Sequence, residues 1–195
     1  MNFLNKLYNW TLTKAKHKNA KWYLCLISFA ESSFFPIPPD LLLIPMALAN
    51  KLKAFFYAFI CTFSSVIGGV AGYTIGYFFY NSLGIYIVEF YHLENSFSIF
   101  ENYYKEYGIL IVLGAGITPF PYKFITIASG VFGLNIFLFI IVSIIGRGSR
   151  FYLIALLLYF FGERIRLIID KYFNILTIVF FILLVGSVFI IRFLW

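Results

Sequence analysis

Arg147 and Arg150 lie inside the apolar run from Asn135 to Phe161, and that placement constrains the chain more than any other feature. The nearer end of the run is roughly ten residues away, so at about 1.5 Å per helical residue both guanidinium groups fall near the middle of a bilayer. Charges at that depth are costly and mark a functional site whose partners must be sought elsewhere in the chain. Two carboxylates qualify, Glu31 and Asp40. They bracket Glu31-Ser-Ser-Phe-Phe-Pro-Ile-Pro-Pro-Asp40, which has apolar residues on both sides but cannot be one continuous helix.

Composition points to the same class. Hydrophobic residues make up 62% of the chain and charged residues 12%, against roughly 25% charge in an ordinary soluble domain. The expected fold class is all-α integral membrane, a single domain of a few spans with no soluble stretch large enough to build its own core. A net charge of +7 would suggest nucleic acid in a soluble protein, but here the basic residues divide by membrane side, so no nucleic-acid partner is expected. Cys25 and Cys61 stand alone in apolar runs and read as packing residues. The lysine-rich start lacks a small-residue cleavage site and reads as part of the mature chain.

Along the chain, residues 1–21 carry Phe3, Leu4, Leu7, Tyr8, Thr11 and Leu12 at helical spacing beside five lysines, the pattern of a basic amphipathic segment at a cytoplasmic membrane surface. Residues 22–49 form two apolar halves too short to cross roughly 30 Å of hydrocarbon, separated by Pro36, Pro38 and Pro39. A re-entrant hairpin fits them better than a kinked span. Residues 54–80 make a full transmembrane helix in which Gly68, Gly72 and Gly76 form one stripe for close helix packing. Residues 81–106, with Glu89, Glu94, Glu101 and Glu106 against Lys105, read as an interfacial helical linker. A second re-entrant segment, 107–132, is broken at Pro119 and Pro121, with Lys123 just beyond. A span at 135–161 carries the two arginines, and 172–193 reads as a C-terminal transmembrane helix.

A gapless shift of 83 positions sets Pro36 and Pro38 on Pro119 and Pro121, Asp40 on Lys123, and the first full span on the second. A hairpin does not change side and a span does, so the order hairpin, span, connection, hairpin, span gives an inverted repeat. The basic residues test this arrangement independently. It puts ten of the fifteen Lys and Arg residues on the side of residues 1–21, 51–53 and 162–171, leaving Lys105 and Arg192 opposite and Lys123, Arg147 and Arg150 inside. The crowded side is expected to be cytoplasmic.

The segment Glu31 to Asp40 with Leu41-Leu-Leu-Ile-Pro-Met46, the second hairpin Gly116-Ile-Thr-Pro-Phe-Pro-Tyr-Lys123, and Gly146-Arg-Gly-Ser-Arg-Phe-Tyr152 together resemble the DedA family, also called VTT or SNARE-associated membrane proteins. The nearest variety is its bacterial YqaA-like branch, and the resemblance covers residues 22–163. It implies a multi-pass protein of the bacterial inner membrane with a cytoplasmic N-terminus and two facing re-entrant loops. The implied activity is a flippase or scramblase type of lipid transport, of undecaprenyl phosphate or phospholipid, dependent in several members on the proton motive force. It also implies that Glu31 and Asp40 match the family's essential acids, and Arg147 and Arg150 its essential arginines. This chain departs from many members in carrying Pro119, Pro121 and Lys123 where they carry arginines, so the lipid does not transfer with the resemblance.

The residues allow a matching mechanism. Arginines three apart project about 60° from one another on one helix face and grip a phosphate headgroup bidentately, with Lys123 as a third cation. Glu31 and Asp40 would neutralise the arginines in the empty site and take a proton when phosphate displaces them. Two other classes compete with lipid transport. A non-transporting membrane-organising protein would hold these charges as a structural buried salt-bridge cluster. An intramembrane lipid phosphatase would need a base, and neither His17 nor His92 has metal-ligand or triad spacing, while Thr118 and Ser149 have no evident base beside them. No metal, cofactor or enzyme activity is therefore expected, membrane lipids and protons are the expected partners, and a homo-oligomer is left open.

Overall fold

The computed structural model describes residues 19–33, 38–92, 94–118 and 121–162. The basic N-terminal segment up to residue 18, Pro36, Pro119 and the C-terminal helix expected at 172–193 lie outside them. The described chain is all-helical, with no strand. Its elements are α1 (Ala20–Ser33), α2 (Asp40–Ala49), α3 (Ala54–Phe79), α4 (Ile85–Phe90), α5 (Glu94–Ile117), α6 (Tyr122–Val131) and α7 (Ile136–Gly162). A single 3-10 turn, Lys51–Lys53, leads into α3, and a π-helical turn, Tyr80–Gly84, leaves it. The stretches Lys51–Gly84 and Ile136–Gly162 are long and apolar enough to cross a membrane.

Element boundaries follow local chemistry. Pro38 and Pro39 precede α2, where the fixed proline φ suits a first helical turn, and Pro121 stands in the same place before α6. Between α6 and α7, Gly133 takes φ +62, and Leu134 N–H bonds to Ser129 O at 2.9 Å while Gly133 N–H bonds to Gly130 O at 3.2 Å. That pair is a Schellman motif, which requires a left-handed residue at the glycine. Asn135 then caps α7, its Oδ1 accepting from the amides of Phe137 and Leu138. In the connection after α3, helix α5 runs unbroken through Glu106 and Tyr107, so the expected linker 81–106 and the first arm of 107–132 share one helix. No proline or glycine falls between Glu94 and Tyr107 to separate them.

Contacts fix the helix directions. Helix α1 runs parallel to α3, since Ser28 meets Cys61 and Ser33 meets Gly68. Helix α3 runs antiparallel to α7, with Phe55 on Tyr159 at one end and Tyr73 on Phe139 at the other. Tyr104 on α5 bonds to Ile125 O and Ser129 Oγ on α6, turning these two back on each other. Asp40 and Leu48 of α2 lie against Arg150 and Gly162 of α7, which makes that pair parallel.

Two apolar clusters form the core. One gathers Leu24, Leu42, Leu43, Met46, Ala58, Cys61, Phe151 and Leu158 from α1, α2, α3 and α7. The other joins Val112, Ala115, Tyr122, Phe139 and Val142 from α5, α6 and α7. The outward faces of the long helices are also apolar, with Phe56, Phe59, Phe63 and Ile67 exposed on α3 and Phe137, Ile141, Ile144 and Leu153 exposed on α7.

The glycine stripe lies where α3 touches its neighbours. A Cβ on Gly68 would strike the Phe29 carbonyl of α1, one on Gly76 the Ile127 carbonyl of α6, and one on Gly72 the Thr126 hydroxyl. At Gly68 and Gly76 backbone is what stands in the way, and it cannot rotate aside. Gly76→Val is therefore expected to lower the melting temperature of detergent-purified protein strongly, by an overpacking cost of about 1–3 kcal/mol or more. Gly114→Ala, inside α5 and with nothing within 4 Å of its Cβ position, should instead raise the melting temperature by a few degrees, from about 1 kcal/mol of helix propensity.

Candidate functional site

Helix α1 places Ser28 and Ser32 one turn apart on the face that meets α3. Ser28 Oγ donates to Cys61 O at 2.7 Å, and Ser32 Oγ lies 2.6 Å from Ser65 Oγ. On the neighbouring face Ser33 Oγ donates to Gly68 O at 2.9 Å. These hydroxyls create a polar seam between the two apolar clusters, and Arg147 reaches into it from α7.

Arg147 is 1% exposed. Its Nη2 donates to Glu31 Oε2 at 2.6 Å and its Nε to Ser65 Oγ at 2.6 Å. Ser32 Oγ donates to the same Glu31 oxygen at 3.1 Å. An ionised carboxylate only accepts, so Ser32 gives its proton to Glu31 and Ser65 gives its own to Ser32. The four groups close a ring of hydrogen bonds through α1, α3 and α7. The guanidinium also lies 5.0 Å from the Tyr122 ring and 4.8 Å from the Phe151 ring, so both aromatic faces attract the cation. Tyr122 is itself held by its hydroxyl donating to Ser143.

Arg150, one turn further along α7, is differently placed. Its Nη2 pairs with Asp40 Oδ2 and its Nη1 donates to Thr118 O at 2.9 Å. It thereby ties the residue that opens α2 to the residue that follows α5. The two side chains of this pair are 16% and 17% exposed, against 1% and 13% for Arg147 and Glu31. The other oxygen of Asp40, Oδ1, is buried and has no hydrogen-bond partner among the described residues.

Each expected acid thus has one expected arginine. The arginines differ in burial: Arg147 is nearly fully buried beside two aromatic rings, while Arg150 lies nearer the surface. Lys123 stands in the first turn of α6, half-buried, with its ammonium 5.4 Å from the Phe124 ring and, among the described residues, in no ion pair. Ser149 is exposed and bonds to Gly146 O within its own helix. His92 ends α4 in a left-handed turn, away from the arginines in the sequence and on the surface. Among the described residues no three His, Cys, Asp or Glu side chains gather as a metal site.

Sequence reading missed Ser32, Ser65 and Tyr122 as partners of Arg147. A signal existed for the first two: Ser28 and Ser32 share a helix face beside Glu31, and Ser64-Ser65 interrupts an apolar span. Nothing in the sequence pointed Tyr122 at Arg147.

Removing either partner of the enclosed pair strands a desolvated charge. Arg147→Gln should cost about 3–5 kcal/mol of stability, and the double replacement Glu31→Gln with Arg147→Met should cost clearly less than the two single changes added together. Denaturant unfolding of the purified chain reads both, and simple additivity would show that the pair is not coupled.

A Haemophilus influenzae protein described as uncharacterized is 36% identical over 164 residues, covering 84% of this chain and 85% of that protein. An uncharacterized protein of Histophilus somni is 36% identical over 167 residues, again covering 84% and 85%. No family model matches the chain. No solved structure matches it.

Proposed function

This chain belongs to the same family as the Haemophilus influenzae and Histophilus somni proteins, and we propose that it is an inner-membrane transporter, of the DedA kind, that moves a lipid bearing a phosphate headgroup. The observation that carries this reading is the Arg150 site: a guanidinium roughly 18 Å from the end of an apolar helix, paired with an acid where one helix begins and with a carbonyl where another has just ended.

The membrane placement is supported by the outward faces of α3 and α7. A row of large apolar side chains there would be costly in water and is at home in hydrocarbon. Re-entrant hairpins are supported by the helix directions. Helix α1 parallels α3, and α2 ends where α3 is about to begin, so the chain enters and returns to one side before crossing. Helices α5, α6 and α7 repeat that order, with Gly108 near Leu134 and Leu113 near Gly146. Because α3 and α7 are antiparallel, the two units are inverted. In such transporters the substrate binds at the interface of the repeats, near the midplane, on broken helices.

Phosphate suits Arg150 because a guanidinium presents paired N–H groups that match two phosphate oxygens. Asp40 supplies the counter-charge through which protonation would couple to headgroup movement. For Arg147 the enclosure between Tyr122 and Phe151 favours a second role, a structural ion pair holding α1, α3 and α7 in register.

In liposomes carrying labelled undecaprenyl phosphate or labelled phospholipid, with and without a pH gradient, the wild-type protein should accelerate movement of the phosphate lipid. Arg150→Lys should lose at least about tenfold of that rate despite keeping the charge, because an ammonium does not reproduce the fork. Full transport by the lysine variant would reduce the site to a simple point charge. Topology is checked separately: single cysteines at positions 53 and 94 should label from opposite sides of the membrane, and labelling from the same side would remove the crossing by α3.

A further inference from the structure

The two ion pairs differ in a way that divides their work. Glu31 and Arg147 sit in a closed hydrogen-bond ring with Ser32 and Ser65, and the guanidinium lies between two aromatic rings. Opening that pair would leave a buried cation with no carboxylate and a buried carboxylate with no cation, a larger penalty than opening the more exposed pair. Among the described residues Asp40 is held by Arg150 alone, with Oδ1 buried and unpartnered. Both members reach the surface in part, so each loses less when the pair opens. Arg150 has a second anchor in Thr118 O, which keeps its fork aimed after the acid has left.

We infer that Asp40 is an internal stand-in for substrate: it occupies the half of the Arg150 fork that an incoming phosphate monoester takes over, while Glu31–Arg147 stays closed throughout. Displacement lets the first residue of α2 move relative to α7 and leaves the Thr118 contact intact, so binding loosens one proline break and not the other. This rests on the phosphate-lipid reading and adds which pair opens and what competes with the ligand. An isosteric change that removes the competitor should therefore improve binding, the reverse of what a residue serving only to support the site would show.

The test uses the full chain purified in dodecyl maltoside, whose headgroup carries no phosphate, in thermal-shift titrations with phosphatidic acid, diacylglycerol of the same acyl chains, and inorganic phosphate. Wild type should respond to phosphatidic acid and not to diacylglycerol. Asp40→Asn should tighten apparent binding of phosphatidic acid by roughly tenfold. Arg150→Gln should abolish it while the chain stays helical. Glu31→Gln should lower the melting temperature with no tightening. Asp40→Ser reads the same change if the amide variant does not fold, and failure of both to fold overturns the proposal, since a displaceable stand-in is dispensable for folding.

Binding that discriminates phosphatidic acid from diacylglycerol but is indifferent to Asp40→Asn and Arg150→Gln overturns the division of labour and leaves the transport reading standing. No discrimination by wild type or by Asp40→Asn sinks both. An Arg150-dependent response to inorganic phosphate as strong as that to phosphatidic acid supports the displaced acid and overturns a lipid as its ligand.

Discussion

The fold depends on enclosing a guanidinium and giving it partners on every side it presents. Arg147 is almost wholly enclosed, and an unpaired charge in that position would remove a large share of a small domain's stability. Its environment answers each part of the group separately. The carboxylate of Glu31 and the hydroxyl of Ser65 take the edge, while Tyr122 and Phe151 cover the two faces. Those four partners come from α1, α3, α6 and α7, so satisfying one side chain fixes four helices relative to one another.

Close backbone approach makes that ring achievable. Serine is short, and its hydroxyl reaches a neighbouring helix only when the two axes come unusually near. Gly68 permits this for α1 against α3, where Phe29 O lies in the space a Cβ would fill and Ser33 can donate to Gly68 O. Gly76 and Gly130 do the same for α3 against α6. In hydrocarbon, where apolar contact alone gives helices little preference for one another over lipid, small residues with a few interhelical hydrogen bonds supply the specificity. The polar seam and the glycine stripe are therefore parts of one packing solution.

The proline breaks connect that frame to the proposed chemistry. A helix that stops at a break leaves its last carbonyls without partners inside the helix. Arg150 reaches both breaks, donating to the backbone carbonyl of Thr118 beyond α5 and pairing with the side chain of Asp40 at the start of α2. A cation recruited to stabilise broken backbone is at the same time a cation able to receive an anion.

Much of the architecture was legible in the sequence because it follows from one-dimensional signals. Apolar length marked both long helices, proline marked the breaks before α2 and α6, and glycine spacing marked the face of α3 that packs. Counting residues placed Arg147 and Arg150 in the middle of a long apolar helix, and the scarcity of carboxylates within apolar segments singled out Glu31 and Asp40. The sequence does not encode which acid meets which arginine. Nor does it say that Arg147 is enclosed by Tyr122 and Phe151 while Arg150 stays accessible, that Ser32 and Ser65 complete the ring, or that Lys123 stands apart from both pairs. Local pattern determines where a helix starts, stops and turns its apolar side. Pairing across more than a hundred residues depends on the crossing and rotation of packed helices, and those are set only when all the side chains between them compete for the same space.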